Sequence, residues 1–305
     1  MIRSLQRRLS DLRRSVLAAE TGRPASARKS KTPTAAGWSN HTWFLVSAAV
    51  CVGIFAWIIT GGTGRLFAAD DFGDFYDYQA ASLLQGRLDV PSEVIRFEAF
   101  VFEGKSYGYF GPTPALLRIP CALLGLGFGQ LSRTFMLIYF GAGLVAVYLV
   151  LLEALRLARG AAAMPRPGTV VLLTANAGLG STLFFLGSRA SVYHEAILCG
   201  AVFALWAVWF ALRHLATPAG RWWIGSLVCG ILSVHARAPT GLFALCLLAT
   251  VAGALGLRAW RQTRATGGRF DFVPLRRPAT LVLLSAAGIL SFNGVSYLKF
   301  GTIEG

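Results

Sequence analysis

Apolar runs long enough to cross a lipid bilayer recur from about residue 43 to the end of this 305-residue chain. A helix needs roughly 20 apolar residues to span the hydrocarbon layer. In lipid the backbone must satisfy its own hydrogen bonds, so these runs are helices rather than loops. Only 14% of residues are charged and the mean hydropathy is +0.57, values foreign to a soluble domain of this size. The sequence therefore predicts an all-α polytopic membrane protein with about seven transmembrane helices. The expected spans are 43–60, 134–157, 169–186, 192–212, 222–234, 240–257 and 279–297.

The net charge is +15. A nucleic-acid partner would need the basic residues clustered on a folded soluble face. Here they lie mostly between apolar runs, which points to orientation in the membrane and to no nucleic acid. With 113–129 taken as non-crossing, the segments 1–42, 153–168, 213–221 and 258–278 fall on one side and hold 20 of the 29 Lys and Arg residues. Lys and Arg in short loops mark the cytoplasmic side. The expectation is a cell-membrane protein with a cytoplasmic N-terminus and residues 61–112 outside. If 113–129 crossed instead, the six arginines of 258–278 would move outside, against that rule.

Residues 1–42 read as a basic cytoplasmic tail and 43–305 as one transmembrane module, with 61–129 forming its outer loop. In the tail, Ile2, Leu5, Leu9, Leu12 and Val16 recur at helical spacing among arginines. That pattern suits an amphipathic helix on an anionic leaflet or a disordered tail, and 21–37 reads as a linker. Asn40-His41-Thr42 fits a glycosylation sequon but abuts the membrane on the cytoplasmic side, so it is taken as chance. The first apolar run starts too late for a signal peptide and is expected to remain as a span. The five cysteines have no metal or redox spacing and read as small core residues.

The outer loop carries eight of the fourteen acidic residues in 61–112. Asp70, Asp71, Asp74 and Asp77 follow the first span directly. Asp70, Asp74 and Asp77 have the i, i+4, i+7 spacing of one helix face, where like charges repel by a few tenths of a kcal/mol per pair. A cation, or a need for a carboxylate, would offset that. A solvated loop with Asp71 or Asp74 as helix cap is the plainer explanation. A surface helix is predicted over 75–85, stopped by Gly86. A short hairpin is predicted over 99–110, turning at Glu103-Gly104-Lys105. Thr113–Gly129 is apolar but short, and Arg118 and Pro120 interrupt it, so it reads as a helix lying at the membrane face.

Two further polar clusters fall between spans. Arg189, His194 and Glu195 accompany Tyr193, and ionisable residues at membrane depth point to function by default. An interfacial Arg189–Glu195 ion pair is the alternative. His235 and Arg237 flank a helix turn at Pro239. An Arg there suits a phosphate, and snorkelling is the plain alternative.

Taken in order, these features resemble the GT-C class of membrane glycosyltransferases. The first span is followed by acidic residues and by a surface helix ending in Leu-Leu-Gln-Gly-Arg-Leu-Asp (83–89). Further points resemble its bacterial branch, related to protein mannosyltransferases and to the aminoarabinose transferase. They are FEGKSYGYFGPTPALL (102–117), SVYHEA (191–196) and Asn293 with YLKFG (297–301). The resemblance implies a cell-envelope enzyme that takes a sugar from a polyprenyl-phosphate carrier at the outer leaflet. It implies Asp70 or Asp71 as the base on the acceptor hydroxyl. Asp74, Asp77, Arg189, His194, Glu195 and Arg237 would bind substrate, and a divalent cation would be a possible cofactor. The expected partners are the lipid-linked donor and membrane lipids. Relatives of that class continue with more spans, so the chain reads as truncated at its C-terminus. A lipid or solute transporter, or an inactive fragment with the same fold, are the competing readings. A transporter would have pseudo-symmetric halves and charges at mid-membrane, and neither is evident.

Overall fold

The computed structural model describes residues 36–217, 219–265 and 273–302. The expected amphipathic tail helix, and most of the 21–37 linker, lie outside them. The chain divides into two compact units, Met1–Trp38 and Ser39–Gly305, and the packing below is that of the second.

The protein is an all-α polytopic membrane protein. Its helices are α1 (Ala36–Ile59), α2 (Phe75–Leu84), α3 (Ser92–Ile95), α4 (Thr113–Leu123), α5 (Ser132–Arg159), α6 (Pro167–Leu179), α7 (Thr182–Leu186), α8 (Val192–Ala216), α9 (Gly220–Ala236), α10 (Ala238–Ala265) and α11 (Val273–Phe300). Among the described residues, six stretches are long and apolar enough to cross a membrane, with α6 and α7 counted together over Pro167–Leu186. The break in that traverse falls at Gly180-Ser181, where the Ser181 hydroxyl accepts from Leu183 N–H and caps α7.

α9 has 17 residues, rising about 26 Å at 1.5 Å per residue. It runs antiparallel along α8: Ser226 donates to the Ala207 carbonyl at 2.6 Å and Ser233 to that of Gly200 at 2.7 Å. Its far end meets the long first loop, where Thr113 donates to the Leu232 carbonyl at 2.8 Å. α9 therefore lies along α8 from one end to the other, although it is shorter than the six long stretches. α4, with 11 residues, rises only about 16 Å. It packs on α2, and it is shorter than the roughly 20 residues a crossing helix needs.

Leu45, Trp57, Leu172, Leu283 and Leu290 are each more than 60% exposed on the long helices. Outward-facing side chains of that kind suit lipid. Inside, α1, α5 and α8 share one apolar core, with Phe55 stacked on Phe140 at 4.1 Å between centroids. Cys51, Cys199 and Cys229 are buried as expected, whereas Cys246 is exposed.

Residues 60–131 form the loop face. α2 starts at Phe75 and stops where Gly86 takes φ +70°. The hairpin pairs β1 (Phe100–Phe102) with β2 (Lys105–Tyr107). Its turn is the two-residue Glu103-Gly104, both at positive φ, the combination that matches the twist of a tight hairpin. Lys105 belongs to the second strand rather than to the turn. A separate small core under this face joins Phe75, Tyr76, Val94, Ile95 and Phe110 to Val192 and Ala196 of α8. Gly111 passes so close to α9 that a Cβ there would lie 1.7 Å from the His235 carbonyl oxygen. α11 ends on the same face: Lys299 donates to the Gly108 and Phe110 carbonyls at 2.5 and 2.7 Å.

Candidate functional site at the loop face

The four aspartates do not share a helix face. Gly73 N–H bonds the Asp70 carbonyl at 2.9 Å, closing a β-turn before α2 begins. Phe72, the third residue of that turn, has φ +55°, a conformation usually left to glycine. The turn sends Asp70 and Asp71 to different partners. Only Asp77 lies within α2, and Asp74 occupies the N-cap position without capping.

Asp70 faces α5. Arg133 Nε and Nη2 approach its oxygens at 2.8 and 2.6 Å, and the same guanidinium donates to the Arg65 carbonyl at 3.2 Å. A forked guanidinium–carboxylate pair of this kind is both strong and directional, so Asp70 is held by its partner.

Asp71 faces outward. Arg96 and Arg189 each lie 3.7 Å from its carboxylate, and all three side chains are more than half exposed. Exposed pairs at that range are worth 0–1 kcal/mol and leave the groups available to a ligand. Asp71 and Arg189 line a pocket of about 390 Å³ with Phe72, Phe97, Ser191, Tyr193 and His194. His194 is oriented by a 3.0 Å contact between its Nδ1 and the Arg189 carbonyl. Tyr193 donates to the Glu98 carboxylate. Its ring neighbours that of Tyr109, on which the Arg237 guanidinium rests at 4.9 Å.

Asp77 and Glu195 lie elsewhere. Both are buried against Arg118, which sequence reasoning took only as an interruption of an apolar run. Arg118 meets Asp77 at 3.0 Å and Glu195 at 2.7 Å, and its guanidinium also reaches the Gly73 carbonyl and the Ser132 hydroxyl. Burial pulls the Arg118 pKa down, but Glu195 and Asp77 together raise it above its usual value. Burial pushes the Asp77 carboxyl up against the pull of Arg118, and Gly129 N–H on Asp77 and Ser132 on Glu195 supply further donors to the cluster. This cluster ties α2, α4, α5 and α8 together under the pocket, and Glu195 does not line it. The alternative of an Arg189–Glu195 ion pair does not form, because each takes another partner.

Asp74 is half-buried, and burial pushes its carboxyl above the usual carboxylate range, against Arg96 and Arg118 nearby. Among the described residues no group of three His, Cys, Asp or Glu converges as metal ligands. Asp70, Asp71, Asp77 and Glu195 each face an arginine, a poor arrangement for a divalent cation.

An apolar groove of about 630 Å³ lies between the spans, lined from Val147 through Ala204 and Leu205 to Pro239, Thr240 and Phe243. Its Thr240 end adjoins Arg237, both packing on Gly200.

No protein-family model, curated protein or solved structure matches this chain.

Proposed function

We propose that this chain is a GT-C-type glycosyltransferase that moves a sugar from a polyprenyl-phosphate donor to an acceptor hydroxyl at the outer face of the cytoplasmic membrane. The observation that carries this reading is the pocket in which one available carboxylate, Asp71, stands between two exposed arginines. The Lys/Arg distribution supports an outside location for the loop face in this reading.

In this reading Asp71 is the base, because Asp70 is committed to Arg133. Asp71 takes the proton of the acceptor hydroxyl, whose oxygen forms a bond to the anomeric carbon. The bond from that carbon to the phosphate oxygen breaks, and polyprenyl phosphate leaves with the electron pair. Arg96 and Arg189, with Arg237 nearby, stabilise the charge on the departing phosphate. His194 and the aromatic wall of Phe72 and Phe97 position the sugar. The groove beside Arg237 holds part of the isoprenoid chain, where each buried CH₂ contributes about 0.8 kcal/mol. Asp77 and Glu195 act through Arg118 as supports. A divalent cation rests on the resemblance alone, and no step here requires it.

The test is sugar transfer in proteoliposomes from a panel of polyprenyl-phosphate sugars. Asp71→Asn is expected to lower transfer by roughly 10²–10⁴-fold, the usual contribution of a general base, with an unchanged yield of folded protein. Equal transfer by wild type and Asp71→Asn would overturn the assignment. Lipid movement across the bilayer without any sugar transfer would favour a transporter.

A further inference from the structure

We propose that the membrane face opposite the loop carries a phosphate-binding site built by Arg156 and Arg213, independent of the glycosyltransferase reading. Glu153, near the end of α5, is 2% exposed. Both arginines place Nη1 2.8 Å from its Oε1, one from the same helix and one from the end of α8. The carboxylate thereby holds two guanidinium groups side by side that would otherwise repel. Its second oxygen is buried without a hydrogen-bond partner among the described residues, so Glu153 is dedicated to the arginines and to nothing further in the chain.

Two cations against one anion leave a surplus positive charge. It lines a cavity of about 480 Å³ together with Leu157, Ala161, Leu215 and Thr217. Each guanidinium has five N–H donors in a planar fork, and the contact with Glu153 uses one from each. The two side chains keep 35% and 30% exposure. Arg213 is further steadied over the Trp222 ring at 5.4 Å. Paired guanidinium forks are the arrangement that recognises phosphate. The cavity lies where apolar spans end, at the level of lipid headgroups, and its apolar members would meet the first carbons of an acyl chain. The ligand chemistry is a phosphate group, carried by an anionic phospholipid or by a free phosphate compound.

The test is thermal unfolding of the detergent-purified protein with phosphatidylglycerol, with diacylglycerol as the phosphate-free lipid, or with inorganic phosphate. Phosphatidylglycerol is expected to raise Tm by several degrees and diacylglycerol to leave it unchanged. The Glu153→Gln/Arg156→Gln/Arg213→Gln variant, which retains no unpaired buried charge at the site, is expected to lose the shift. Arg87→Gln on the loop face is expected to keep it. A shift with phosphatidylglycerol alone identifies the lipid headgroup, and an equal shift with inorganic phosphate identifies a free phosphate. The proposal is overturned if neither shifts the wild type, if diacylglycerol shifts it equally, or if the triple variant responds as the wild type does. In each of these cases the arginines serve only the helix ends.

Discussion

Nη2 of Arg118 lies 2.7 Å from both carboxylate oxygens of Glu195, and neither side chain reaches the surface. The contact joins α4 to α8 across 77 residues of sequence, and Asp77 brings in α2 through the same guanidinium. Removing one partner of a buried ion pair costs about 3–5 kcal/mol, because it strands the other charge. Arg118→Met is therefore expected to lower Tm sharply in detergent. Combining it with Asp77→Asn and Glu195→Gln should recover much of the loss. An Arg118→Met protein that unfolds at the wild-type temperature would show that this cluster does not hold the loop face.

Asp70 and Asp71 are adjacent in sequence and differ in role. Asp70→Asn breaks a charge-assisted pair with Arg133 that is mostly sheltered from water. A hydrogen bond to a charged group contributes roughly 1.5–3 kcal/mol, so a stability loss of about that size is expected. Asp71→Asn loses only exposed contacts and should unfold within about 0.5 kcal/mol of wild type. Equilibrium unfolding of both variants checks this, and equal stability losses would contradict the geometry.

The parts of this fold that were legible in the sequence are those set by local rules. Gly86 ends α2 because a left-handed residue suits a helix C-terminus, and Glu103-Gly104 turns the hairpin for a similar reason. Six of the seven expected spans are long apolar stretches, as their apolar length predicts, whereas the expected span 222–234 is the shorter α9, placed by its hydrogen bonds to α8. The misplaced residues are those whose partners are remote. The 70, 74, 77 spacing suggested one helix face, but the Gly73 turn intervenes and its backbone hydrogen bond decides where Asp70 goes. Arg118 in an apolar run and the two carboxylates in apolar surroundings were each visible. A buried charge needs a partner, and that was the signal that the three belong together. Lys299 lies in an apolar run with no local sign of its partners, yet it is the side chain that fastens the end of α11 to the hairpin segment.

Lys299 donates to two backbone carbonyls in a buried setting, with the Phe300 ring at 5.4 Å. Lys299→Met would leave both carbonyls without that donor while keeping most of the apolar volume. Stranding a buried acceptor costs about 1–3 kcal/mol. The effect should be local: hydrogen exchange over 99–110 is expected to accelerate while the α5 and α8 amides keep their protection. Uniform acceleration across the protein would instead place Lys299 in the global core.

Asp74 gives the protein an acid-side signature. Its folded-state pKa is raised above 3.8, chiefly by burial, so the folded chain disfavours the ionised form. The stability associated with its protonated form is fully present below 3.8 and is lost as pH rises through the folded-state value. At neutral pH the wild type therefore carries a destabilising carboxylate that Asp74→Asn lacks. The variant is expected to be the more stable at pH 7, by a small margin because the group is only half-buried. That advantage should shrink as pH falls through the raised pKa toward 3.8 and vanish below it. Parallel unfolding curves of the two proteins from pH 7 to about pH 3, below the unfolded-state value, provide the check. A variant that is less stable than wild type at pH 7 would mean that Asp74 is stabilised by Arg96 and Arg118 more than burial penalises it.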